Sequence, residues 1–236
     1  WAALETGRTA QGGSVERSMT PVKIALFGWY MHGNFGDDVM AVMFSRTIKA
    51  AGFQPCVYKL PRHLAGLEGV ERADSIASLL EGASACVLGG GGLLLSGNDP
   101  PASSLLAFDE DLRQLARVCK ARSIPVWGAS VGGIGAGRAA KLYPGLATLL
   151  ASGIVRGATL RLAQDKPLLD AFDIPSEHFP DVVFASPDFW PARNTNGPRN
   201  VVVTNNIDIL PAGQALVTFL DVCGPGLRGG VPRHVM

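Results

Sequence analysis

Three short apolar runs that each end in glycine constrain the fold most. VKIALF (22–27) ends at Gly28, ACVL (85–88) at Gly89, and PVW (125–127) at Gly128. Runs this short and this uniformly apolar suit strands buried on both faces, as in a parallel sheet. Apolar residues at helical spacing lie between them: Val39, Val42, Met43 and Ile48 in the first interval, then Leu105, Leu112, Leu115 and Val118. Strand–helix alternation of this kind predicts an α/β domain from about Val22 to Phe189 with glycine-rich loops at its strand ends.

The same spacing predicts strands over 54–60, 153–155, 159–161 and 182–184. It predicts helices over 37–51, 73–81, 103–121, 139–150 and 165–172, and a loop over 61–69. Pro144 is a candidate interruption of the fourth helix. Residues 1–18 carry charges and no apolar stretch, and read as a non-native or disordered leader. The expected organisation is a main domain over 19–190, a Pro- and Asn-rich linker over 191–199, and the truncated start of a second domain with an irregular tail over 200–236.

Composition excludes several classes. Hydrophobic residues make up 47% and the net charge is +1 without a like-charge block. A globular chain is expected, and neither nucleic acid nor an integral membrane segment is. Cys56, Cys86, Cys119 and Cys223 form no C-x-x-C pair. Reduced, buried thiols are the expectation, which suits the cytoplasm. No metal-ligand spacing appears.

In a parallel sheet, ligands gather outside the carboxyl ends of the strands. Three glycine-rich segments fall there. GNFGDD (33–38) precedes the first helix, where free N–H groups and the dipole favour an anion or a hydroxyl. Asp37 or Asp38 can cap that helix. Asn34 and Gly36 line the loop, and Asp37 can accept a hydroxyl proton. His32, in the same loop, is the candidate acid or anion donor. GGGG (89–92) offers Gly90, Gly91 and Gly92 as backbone donors, unless a helix crossing alone explains them. GASVGGIG (128–135) adds Ser130, which stands in a G-x-S-x-G frame over 128–132 but has no His/Asp partner that can be placed, and this argues against a hydrolase triad. Arg161, at a strand end, is a candidate fork donor to an anion, with a surface ion pair as the plainer reading. The first segment is neither a dinucleotide fingerprint nor a P-loop.

These residues resemble the polysaccharide pyruvyl transferase family. The match rests on GNFGDD (33–38), GGGGLL (89–94), the segment 128–135, and TLR (159–161) with PDVVF (180–184). Leu162 stands where the family pattern has Asp, and Asp165 where it has Ser. The resemblance implies a Rossmann-like parallel sheet with helices on both faces, as the N-terminal half of a glycosyltransferase-B-like two-domain architecture. It implies transfer of pyruvate from phosphoenolpyruvate, as donor substrate and with no cofactor, to a sugar as a ketal. The acceptor would be a cell-envelope or exopolysaccharide glycan, free or lipid-linked. The location would be the cytoplasm, or the inner face of the membrane by peripheral association. His32 and Asp37 would be catalytic; Asn34, Gly36, Gly90, Gly91, Gly92, Ser130 and Arg161 would bind substrate. The chain reads as incomplete, with an open interdomain face that would favour self-association. A sugar-nucleotide-dependent glycosyltransferase of the same architecture, or a non-catalytic remnant domain, are the alternatives.

Overall fold

The computed structural model describes residues 21–30, 34–94, 103–133 and 142–190. Its centre is a seven-stranded, all-parallel sheet in the order β3-β2-β1-β4-β5-β6-β7. The strands are β1 (Lys23–Phe27), β2 (Gln54–Tyr58), β3 (Glu71–Ala73), β4 (Ala83–Leu94), β5 (Val126–Gly133), β6 (Val155–Leu160) and β7 (Ser176–His178). The helices are α1 (Phe35–Ala50), α2 (Arg62–Glu68), α3 (Ile76–Leu79), α4 (Ser103–Arg122), α5 (Pro144–Leu150), α6 (Lys166–Asp170) and α7 (Ser186–Phe189).

Strand alternation sorts the core into two faces. Ala25 and Phe27 of β1, with Cys56 and Tyr58 of β2, pack with α3, α4, α5 and α6. Leu26 and Val57, one residue out of phase, pack with Ala41 of α1 and Ala65 of α2 on the opposite side. The sheet is therefore covered on both faces, in a Rossmann-like fold, as a buried parallel sheet requires. Phe27 stacks between Tyr58 at 5.0 Å and Phe108 at 5.3 Å, and Trp29 stacks on Phe108 at 4.7 Å.

Several local expectations are corrected. The segment 61–69 forms α2, stopped by Gly69 in the left-handed region. Residues 71–73, expected just before or within a helix, are the short edge strand β3; Ser75 then caps α3 with a capping box. The runs at 153–155 and 159–161 merge into one strand, β6. Pro144 starts α5 rather than breaking a helix, because its missing N–H falls where no helical partner exists. Leu142 and Tyr143, also expected in that helix, are not helical, and 139–141 lie outside the described residues. Instead of one helix over 165–172, a 3-10 turn (Ala163–Asp165) leads into α6. β7 was not expected from its polar SEH sequence.

The most consequential correction concerns 182–184. The apolar triplet is not a strand but a 3-10 turn, Val182–Ala185. Two side chains take its first amides: Ser130 Oγ accepts from Val182 N at 3.0 Å, and Asp181 Oδ1 from Val183 N at 3.1 Å. Amides held this way are withdrawn from any ladder.

One buried carboxylate serves the fold alone. Asp109 of α4 is 5% exposed and accepts from Gly145 N at 2.8 and 2.9 Å and from Leu146 N at 3.1 Å. It thereby caps α5 from a neighbouring helix, since Tyr143 at the N-cap offers no side-chain bond.

Candidate functional site

The strand order reverses between β1 and β4, and ligands of such sheets bind outside the carboxyl ends at that point. The described residues place Asn34, Gly36 and Asp37 beside β1, Gly90 to Gly92 on β4, Ser130 to Gly133 on β5, and Arg161 just after β6. All belong to the same end of the sheet. His32 lies outside the described residues.

The start of α1 differs from expectation. Asn34, not Asp37 or Asp38, is the N-cap: its Oδ1 accepts from Gly36 N at 3.1 Å, and the helix begins at Phe35. Asp37 is thus a first-turn residue whose carboxylate is free for other partners. It accepts from Asn34 Nδ2 at 2.8 Å. The half-buried carboxyl is pushed up to about 6, first by desolvation and then by Asp38 and Asp181; Arg161 and the Asn34 amide pull the other way.

The glycine runs are explained largely by side chains crossing them. A methyl group on Gly89 would meet Leu26 Cδ1 at 2.5 Å and the Tyr30 hydroxyl at 3.0 Å; on Gly90 it would meet Met40 Sδ at 2.8 Å. On Gly91 it would collide with Asp37 Oδ1. Gly90 and Gly91 also have positive φ, +67° and +88°. Both are buried beneath Met40 and Asp37, while Gly92 keeps partial exposure. On the neighbouring strand, a methyl on Gly132 would meet Arg161 Cγ and Nε at 2.7 Å, and one on Gly92 would touch Arg161 Nη2 at 3.4 Å. The glycines form a floor that lets Asp37 approach from α1 and Arg161 from β6. Leu26 of β1 and Tyr30 account for Gly89, Met40 of α1 for Gly90, and the two charged side chains for Gly91 and Gly132.

Tyr30 fixes the edge of this floor. It is fully buried, and its hydroxyl donates to Gly89 O at 2.8 Å. Burial, with Asp37 nearby, holds that phenol well above its ordinary range, so it is a neutral donor.

Arg161 is 27% exposed along its side chain and donates from Nη1 to Asp181 Oδ2 at 3.0 Å. Ser130 is 7% exposed at φ +52°, and both its polar groups are engaged: its amide donates to Thr159 Oγ1 at 2.8 Å while its hydroxyl accepts from Val182. Asp165, 1% exposed, accepts from Gly133 N at 2.6 Å and anchors the end of β5.

Two further acids reach the site. Asp181 and Asp165 stand 20 and 4 residues from Arg161, and only the fold brings them to this sheet end. The signal available for Asp181 was its place ahead of an apolar triplet, which also suits a turn cap.

Chemically, the cluster presents one guanidinium, a proton-exchanging carboxyl near neutrality, a second carboxylate and an amide. Such a set suits hydroxyl and oxyanion groups. Among the described residues no His, Cys, Asp and Glu group could hold a metal ion, and no helix is long and apolar enough to cross a membrane. No protein-family model, curated protein or solved structure matches the chain.

Proposed function

We propose that this sheet end is the acceptor-sugar site of a pyruvyl (ketal) transferase, within a two-domain, glycosyltransferase-B-like enzyme of the cytoplasm. The observation that carries the reading is the half-desolvated Asp37 carboxyl set opposite Arg161 across the Gly91–Gly92 floor. A carboxylate that gains a proton near pH 6 is ionised at neutral pH yet basic enough to take a hydroxyl proton. The ordered motifs from GNFGDD to PDVVF point to the same chemistry by resemblance.

In this reading two acceptor hydroxyls add to C2 of phosphoenolpyruvate. C3 gains one proton and becomes the ketal methyl, and phosphate leaves with the other hydroxyl proton. Asp37 orients one hydroxyl and accepts its proton. Asn34 and Arg161 fix the sugar, and His32 is the expected acid toward the donor. Acceptors are glycans of the cell envelope or an exopolysaccharide.

Saturation-transfer NMR with a methyl hexopyranoside, with phosphoenolpyruvate and with a nucleoside diphosphate hexose tests the assignment, and ketal methyl signals are read on the same samples. Glycoside binding that disappears in Asp37→Ala supports it. Binding of the nucleotide sugar alone indicates a glycosyltransferase instead, and glycoside binding indifferent to Asp37 removes the site from the acceptor.

A further inference from the structure

The ion pair between Arg161 and Asp181 has an unusual setting. Asp181 leads a segment that crosses the sheet end without burying itself: neither the turn Val182–Ala185 nor α7 contributes a buried residue. Val182 and Val183 are half-buried, and Phe184 is 76% exposed. The near end of the strap is fastened by polar contacts, namely Asp181 on Arg161 and the Val182 amide on Ser130 Oγ. The far end rests on α1, where Arg46 donates to Phe189 O at 3.3 Å and lies over the Trp190 ring. A segment with little buried apolar area belongs to the low-stability end of a fold.

The carboxylate seated on Arg161 shows that the guanidinium accepts an oxyanion in this position. Arg161 is also bordered by Asp37, so the cluster is already rich in negative charge. A carboxylate that replaces Asp181 leaves the charge around Arg161 unchanged, and a phosphate that replaces it adds less negative charge than one that joins it. Exchange is therefore the favourable route. We propose that Arg161 is an oxyanion site whose resident occupant is Asp181, and that a small carboxylate or phosphate ligand takes its place and releases the 181–185 strap from β5. This goes beyond the acceptor-sugar reading and stands or falls without it.

Inorganic phosphate, titrated into the 15N-labelled chain, is the probe. In the wild type, phosphate shifts the Arg161 Nε resonance and speeds hydrogen exchange at the Val182 and Val183 amides. Asp181→Asn keeps an acceptor for the Val183 amide but removes the competing charge. It binds phosphate about fivefold tighter, the factor matching ~1 kcal/mol for a partly exposed ion pair. Ser130→Ala, which loosens the strap without touching Arg161, also tightens binding, and provides the test if Asp181→Asn fails to fold. Arg161→Gln abolishes the response. The proposal is overturned if both strap variants bind no tighter than wild type, if phosphate binds wild type with the two amides still protected, or if no variant binds it. Ketal formation is not read here, so failure of the acceptor assignment gives a separate result.

Discussion

Gly91→Ala tests whether the glycine floor exists to admit Asp37. Two costs are expected. The backbone at φ +88° is hostile to an L side chain, at about 1–2 kcal/mol. The new methyl group would also occupy the position of Asp37 Oδ1. Asp37 is the end of a short side chain and can swing away, losing the 2.8 Å bond from Asn34 at about 1 kcal/mol. The sum is about 2–3 kcal/mol, or roughly 4–12 °C in Tm for a chain of this size. Gly82→Ala supplies the control, because Gly82 has φ +68° with nothing within 4 Å of an added methyl. It carries the backbone cost alone. Urea unfolding of both variants, in wild-type and Asp37→Ala backgrounds, forms a double-mutant cycle. The excess of Gly91→Ala over Gly82→Ala should vanish in the Asp37→Ala background. Equal costs for the two glycines in the wild-type background would refute the steric argument.

Three more outcomes follow from the structure. Asp37 has a folded-state value of about 6, above its unfolded one, so its ionisation opposes folding. Stability attributable to this group falls as pH rises from about 4 through about 6. Asp37→Asn should therefore match wild type near pH 4 and exceed it near pH 8. The excess is about 1–2 kcal/mol after discounting for solvent contact, checked by chemical denaturation at both pH values. Asp109→Ala leaves the Gly145 and Leu146 amides without their buried carboxylate and should cost about 2–4 kcal/mol in the same assay. A maleimide should leave Cys56, Cys86 and Cys119 unlabelled in the native protein and label them in denaturant, since all three are fully buried; native labelling at any of them, located by peptide mass, counts against the packing.

The fold was legible wherever a strand is apolar and internal. β1, β2 and the beginnings of β4 and β5 announce themselves because both faces of each are buried. β3 and β7 do not, because edge strands carry polar residues and are recognised only through their ladder partners. β4 and β5 were read too short for a related reason. Glycine ordinarily ends a strand, yet here β4 continues to Leu94 because side chains of α1 and β6 need its glycine surface. The apolar triplet at 182–184 misled in the opposite sense: local composition favours a strand, and two side-chain acceptors override it. At the site, Asp37 and Arg161 were legible as residues next to glycines. Their meeting was not, nor was the role of Asp181, because each contact spans from 20 to more than 100 residues of sequence.

The central claim is that Asp37 is a proton-exchanging group facing Arg161. An NMR pH titration of the Asp37 carboxyl, in wild type and in Arg161→Met, tests it most directly. The account predicts titration near pH 6 in wild type and a higher midpoint in the variant, where the guanidinium no longer favours the charged form. A midpoint near 4 that does not move when Arg161 is replaced would contradict it.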